Sequence, residues 1–216
     1  MFNNIDPKTN GEELFFNQIK NNINCIFDVG CRSDSEFINF EGEVHYFEPV
    51  SDFIENLKTQ PNQNKSSFFN NFGLGDKNSE RYYYPKYQSF IDRTVSCHYS
   101  DESNKRLLHI KKASDYVTEN NIPTIDFLKI DTEGYELLVL KGFEDQLQKV
   151  KIIQFEYGGT FLDTKLMDVI NYLSQRDFHH FSYLTKDGPV LINDFSDHYQ
   201  YCNIVCVNRT SDYNPF

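Results

Sequence analysis

Lys129, Asp131, Glu133 and Glu136 crowd into eight residues, Lys129-Ile130-Asp131-Thr132-Glu133-Gly134-Tyr135-Glu136, closing an apolar run that begins at Ile125. A lysine inside a buried strand needs a charged partner, because an unpaired buried ammonium is costly. Side chains alternate along a strand, so Lys129 and Asp131 share a face. Carboxylates at the carboxyl end of a strand lie where open α/β sheets bind ligands. Glu156 ends the next apolar run, Lys151 to Phe155. Neighbouring strands lie about 4.8 Å apart, so Asp131 and Glu156 can face a common acceptor or cation. Their chemistry is that of a base for a hydroxyl that must lose its proton, or of ligands to a divalent metal such as Mg. Lys129 would orient and neutralise them. Glu133 reads as an acid at a helix N-terminus, where its charge is favoured, or as an acceptor contact. His98 is a rival base, in a stretch with Arg93 and Tyr99 that could grip an acceptor. Tyr157 follows Glu156 at the acceptor mouth.

A second constellation sits on three other strand ends. Ile26-Phe27-Asp28-Val29-Gly30 is a buried strand that ends in an acid and a glycine. Glu48 follows Gly30 at a spacing that suits an acid bonding ribose hydroxyls, usually about 20 residues on. Gly73-Leu74-Gly75-Asp76 ends the third strand, where an adenine would lie. The segment Cys31-Arg32-Ser33-Asp34-Ser35-Glu36 lacks the further glycines a pyrophosphate requires. Asp34 and Glu36 would repel phosphate. The pattern therefore favours a nucleoside without phosphate and with positive charge, for which S-adenosyl-L-methionine is the obvious candidate.

Short apolar strands alternate with amphipathic helices, which implies an α/β fold with a mostly parallel sheet covered on both faces. Helices are expected over Glu12 to Lys20, Ser51 to Lys58 with Ser51 as cap, Ser114 to Asn120 with Ser114 as cap, Gly134 to Lys141 with Gly142 as the stop, and Thr164 to Gln175. Strands are expected over Cys25 to Val29, Val44 to Phe47, Ser67 to Phe72, Ile125 to Ile130 and Lys151 to Phe155. Arg81 to Tyr84 and Leu107 to Ile110 read as short strands. Phe178 to Leu184 and Cys202 to Val207 read as an antiparallel edge pair. Pro85 to Asn104 shows no periodicity.

The chain of 216 residues reads as one domain over 1–216, with 1–22 as a helical lead-in and 85–104 as a substrate loop. Its 20 Phe and 14 Tyr supply core volume in the absence of Trp, and its net charge of −11 argues against nucleic acid as the main partner. Five cysteines with no CxxC do not form a disulfide or zinc framework. The polar start has no apolar signal core, and no apolar run reaches membrane-spanning length. These features imply a cytoplasmic protein. A homo-oligomer stays open.

The chain resembles the FkbM family of S-adenosylmethionine-dependent methyltransferases. The resemblance rests on Phe27-Asp28-Val29-Gly30, Val44-His45-Tyr46-Phe47-Glu48-Pro49, Gly73-Leu74-Gly75-Asp76, the stretch Ile125 to Glu136 with Lys141-Gly142-Phe143, and Ile152-Ile153-Gln154-Phe155-Glu156. These fall in the family's order over about residues 25 to 157, with a departure from its commoner form at Arg32 and Asp34. The resemblance implies a Rossmann-like class I methyltransferase fold, with a seven-stranded sheet and an antiparallel edge strand. It places the cofactor on Asp28, Gly30, Cys31, Arg32, Glu48, Pro49, Gly73, Leu74 and Asp131. It implies methyl transfer to a hydroxyl of a sugar, a sugar nucleotide or a glycosylated small molecule. Three other readings remain at this point. An RNA 2′-O-methyltransferase would want a lysine near Gln154 and Glu156. An NAD-dependent oxidoreductase would want the missing glycines. A non-catalytic nucleoside-binding protein could keep the fold without turnover.

Overall fold

A computed structural model describes residues 2–86, 88, 90, 105–158 and 164–210. The chain starts with two short helices, α1 (Pro7–Asn10) and α2 (Glu12–Ile19), and enters the sheet at β1 (Cys25–Val29). It continues through β2 (Glu43–Phe47), α3 (Ser51–Thr59), β3 (Ser66–Asn70), β4 (Gly73–Gly75), β5 (Ser79–Tyr83), β6 (Arg106–Lys112) and α4 (Ala113–Glu119). Then come β7 (Ile125–Ile130), α5 (Glu136–Phe143), β8 (Val150–Tyr157), α6 (Leu166–Ser174), β9 (Phe178–Tyr183), β10 (Val190–Leu191) and β11 (Cys202–Asn208).

The main sheet has eight strands in the order β10-β9-β11-β8-β7-β1-β2-β3. The five from β8 to β3 run parallel, while β11 is antiparallel to both β8 and β9. The eighth strand, β10, is a two-residue addition beyond the seven expected, folded back antiparallel onto β9. The chain leaves β1 towards β2 and β3 and later returns to β7 and β8 on its other side. The switch point where ligands bind in such sheets therefore lies above β1 and β7.

Burial explains why β1 and β7 read so clearly. Strands covered on both faces become continuous apolar runs. Phe27, Val29, Leu128, Ile130, Ile153 and Phe155 face one core with α4, α5 and α6. Ile26, Phe127 and Ile152 face the other, with Phe15 and Ile19 of α2 and Ile54 and Leu57 of α3. Asp28, Lys129, Gln154 and Glu156 continue that second parity and so share a face.

Several local expectations are corrected. Gly73 to Gly75 does not end the third strand, which stops at Asn70: it pairs with β6 in a separate three-stranded sheet, order β4-β6-β5. Ser51 does not cap α3; the cap residue is Val50, whose N–H donates 2.8 Å to Glu48 Oε1. Ser114 lies inside α4, and its hydroxyl donates to Glu144. Gly142 does not stop α5 but sits within it. A Cβ there would meet the Gly75 carbonyl oxygen at 1.8 Å, so the glycine lets α5 pack directly on β4. Among the described residues no helix is long and apolar enough to cross a membrane. Cys25, Cys31, Cys202 and Cys206 are free and buried.

Candidate active site

The carboxyl ends of β1, β2, β7 and β8, with β4, enclose a cleft of about 320 Å³. Gly30 forms its floor. Its φ is +89°, and a Cβ would lie 1.8 Å from the Asp131 carbonyl oxygen. The glycine is thus required by the protein's own backbone: the ends of β1 and β7 touch there, and Asp131 N–H donates 2.9 Å to Val29 O. That contact brings the nucleoside half and the acidic half of the cleft into one space.

On the nucleoside side, Arg32, Glu48, Pro49, Gly73 and Leu74 all line the cleft, joined by Phe53, Tyr83 and Phe90. Glu48 is buried and braced twice: Oε1 accepts from Val50 N–H and Oε2 from Arg32 N–H, at 2.8 and 3.1 Å. Burial pushes its carboxyl up to about 7, against the pull of those amides. The Arg32 guanidinium stacks over Phe53 at 5.9 Å. Two residues of the expected set stand behind the surface. Asp28 accepts a 2.5 Å bond from Ser35 Oγ and so holds the loop after β1. Burial pushes Asp28 up to about 7, with Lys129 and Ser35 opposing. Cys31 is buried in the α2-side core, and its backbone N–H reaches Phe47 O at 3.4 Å.

On the acidic side, Asp131, Glu133 and Glu156 line the cleft, with Thr132 between the first two and Tyr201 opposite. Glu156 is only 8% exposed. Burial first, then the charges of Asp131, Glu133 and Glu136, push it well above the usual carboxylate range. Such displaced ionisations gather at functional sites. Glu133 does not cap α5, which begins three residues later with Tyr135 as its cap residue. Glu136 braces that turn instead, its Oε1 accepting from Thr132 N–H, Thr132 Oγ1 and Gly134 N–H. Glu133 takes a left-handed φ of +56° at the cleft wall.

Lys129 lies beneath this wall. Its Nζ is 3.1 Å from Glu36, 3.4 Å from Glu12 and 3.8 Å from Asp131. Burial alone would lower its ammonium, but Glu36, Glu12, Asp131 and Asp28 outweigh it and hold it well above the ordinary lysine value. Glu12 also accepts from Gln154, Asn203 and Asn10 side-chain amides. Sequence reasoning missed Glu12, although one signal was present: it falls on the apolar stripe of α2 with Phe15 and Ile19. It also missed Tyr201 and Ile5, which reach the cleft from the C-terminal strand region and the N-terminal segment.

Tyr157 is placed elsewhere. One residue beyond Glu156, it points to the opposite face of β8, packs in the α6-side core and donates to Asp197 Oδ1. Arg93, His98 and Tyr99 lie outside the described residues, as does most of the expected substrate loop.

No curated protein matches the chain. Among solved structures, a TehB-like SAM-dependent methyltransferase from Corynebacterium glutamicum aligns with a TM-score of 0.52 at 8% identity, over 92% of this chain and 88% of that one. Magnesium protoporphyrin IX methyltransferase from Synechocystis aligns at 0.45 and 10% identity, over 91% and 77%. At 8% identity the first of these likenesses shows the fold alone, that of class I methyltransferases. The family described as the methyltransferase FkbM domain matches residues 28–180, a span that runs through every strand end building the cleft from Asp28 to Glu156. The chain belongs to the FkbM methyltransferase family.

Proposed function

We propose that the protein is an S-adenosylmethionine-dependent O-methyltransferase acting on a hydroxyl of a sugar or glycosylated small molecule. One observation carries this reading: the Gly30–Asp131 contact joins a nucleoside-type pocket to a carboxylate wall in a single cleft. The donor set fits S-adenosylmethionine. Each Glu48 oxygen accepts one backbone amide and keeps acceptor capacity for a ribose hydroxyl. Phe53, Leu74 and Phe90 offer apolar walls for an adenine. Among the described lining residues Arg32 is the one cation, which suits a ligand without phosphates. The cofactor supplies a methyl group on a positively charged sulfur.

The chain's own residues supply the rest. Asp131 takes the proton from the acceptor hydroxyl, and Glu156 beside it shares the hydroxyl's hydrogen bonding. Lys129 is a positioning residue, its ammonium 3.8 Å from the Asp131 carboxylate. Tyr201 offers an aromatic face and the carboxylates offer acceptors, a pairing suited to a sugar ring with its hydroxyls. Orientation of two reactants in one cleft can contribute about 7–11 kcal/mol.

Glu48 gives this reading a pH signature. Its folded value near 7 lies above the ordinary 4.5, so the folded protein without cofactor holds that proton more tightly than the unfolded chain. The contribution of Glu48 to stability is therefore full at low pH and is lost as pH rises through 7. Cofactor affinity should move oppositely, because the ionised carboxylate is the better acceptor for ribose hydroxyls. Calorimetry should find binding about tenfold weaker at pH 6 than at pH 8. Affinity that is flat over that range would remove Glu48 from the ribose.

The acceptor is tested with labelled S-adenosylmethionine and a panel of sugar nucleotides, glycosylated small molecules and structured RNA, locating the methyl group in any product. Label on a sugar-ring oxygen supports the reading. Label on RNA, or on nitrogen or carbon, overturns it.

A further inference from the structure

Asp131, Glu133 and Glu156 each bring a carboxylate oxygen to a point where all three lie within 4.8 Å of one another. An ion with bonds of about 2.4 Å spans up to about 4.8 Å between two of its ligands. The spacing therefore suits one ion held by all three. Proximity of acids alone says little, but Glu156 adds an independent feature. Its Oε2 is enclosed and finds no protein donor among the described residues, only the carboxylate of Asp131, in a side chain more than nine-tenths buried that lines this cleft. A buried polar atom without a partner costs about 1–3 kcal/mol, more when the group is charged. Lys129 reaches one member of the group, Asp131 at 3.8 Å, and lies closer to Glu36 and Glu12.

The only other such grouping among the described residues, Cys25, Glu43 and His45, is internally satisfied. Cys25 Sγ and His45 Nε2 both reach Glu43 Oε1, and His45 Nδ1 meets the Tyr116 hydroxyl at 2.7 Å. Each of its three side chains already has a partner within the group.

We propose that Asp131, Glu133 and Glu156 bind one divalent cation, of the hard, oxygen-preferring kind, on the acceptor side of the cleft. The all-carboxylate donor set selects calcium, manganese or magnesium over zinc or copper. Three protein ligands leave about three of six coordination positions open. Those positions would face the cleft, where two neighbouring hydroxyls of an acceptor could complete the shell and one of them would pass its proton more easily to the Asp131 oxygen that does not hold the ion. Glu133 then becomes a metal ligand and not a helix-terminal charge. The role of the ion rests on the methyltransferase reading above; its binding does not.

The test uses the full chain, stripped with EDTA and without cofactor or acceptor. Mn²⁺ binding is followed by electron paramagnetic resonance, and Ca²⁺ and Mg²⁺ by calorimetry. One site is expected, weakened at least about tenfold in Glu133→Gln and in Glu156→Gln, with unfolding midpoints confirming that each variant is folded. Should either variant be unfolded, Asp131→Asn takes its place. No Mn²⁺ bound at millimolar concentration, or folded variants that bind as tightly as the wild type, would overturn the proposal. Methyl transfer that persists without bound ion removes the ion and keeps the carboxylate base. Ion binding without any methyl transfer leaves the ion and removes the function assigned to the cleft.

Discussion

Asp131→Asn should lower methyl transfer about 10²–10⁴-fold, the usual contribution of a positioned acid or base, while leaving S-adenosylmethionine affinity within about threefold. The substitution keeps the shape of the side chain and removes its capacity to take a proton. It also leaves untouched the backbone that the fold uses, since Asp131 N–H to Val29 O and the close approach of Gly30 are main-chain features. Single-turnover rates with saturating cofactor separate the chemical step from binding. Unchanged turnover would take Asp131 out of the chemistry. A matching loss of cofactor affinity would recast it as a binding residue.

Lys129→Met carries the largest expected effect on stability. The substitution keeps the length of the stem and removes a cation within 3.8 Å of three carboxylates. Removing one partner of a buried ion pair costs about 3–5 kcal/mol, because the other charge is left uncompensated. Here Glu12 and Glu36 would lose their only ammonium among the described contacts, although Glu12 keeps its amide donors from Gln154, Asn203 and Asn10. For a chain of this size the loss corresponds to a fall in unfolding midpoint of about 6–20 °C. Lys129→Arg would retain the charge and recover part of it. A midpoint within 2 °C of wild type for Lys129→Met, roughly under 1 kcal/mol, would show that the carboxylates simply take up protons and that the lysine is dispensable to the fold.

Much of this was legible in the residues. The ends of β1 and β7 were fixed by continuous apolar runs broken by Gly30 and by Asp131, because burial on both faces leaves no alternation to misread. The spacing of Glu48 from Gly30 brought the acid into the cleft by simple strand arithmetic. What failed was non-local. Gly73-Leu74-Gly75 carries no strand propensity, and it becomes β4 only because β6 offers a partner across a long connection. The α3 cap position falls on Val50, held by Glu48 and without a side-chain cap bond, so the nearby Ser51 misled. Gly142 looked like a helix stop because glycine commonly ends helices, whereas its absent side chain serves the Gly75 contact. Lys129 announced that it needed partners, but Glu12 and Glu36 come from distant segments and nothing near Lys129 names them. Glu156 and Tyr157 are neighbours in sequence and opposites in space, a consequence of strand parity that was available and not applied.

The proposed chemistry requires one cleft that holds a sulfonium nucleoside against Gly30 and Glu48 and presents it to Asp131. Calorimetry on the purified protein tests this most directly, titrating S-adenosylmethionine, S-adenosylhomocysteine and NAD into wild type and Glu48→Ala. Both sulfur nucleosides should bind at one site in the wild type, Glu48→Ala should weaken both at least about tenfold through the lost ribose bonds, and NAD should not bind. Binding of NAD, or absence of binding by both sulfur nucleosides, would contradict it.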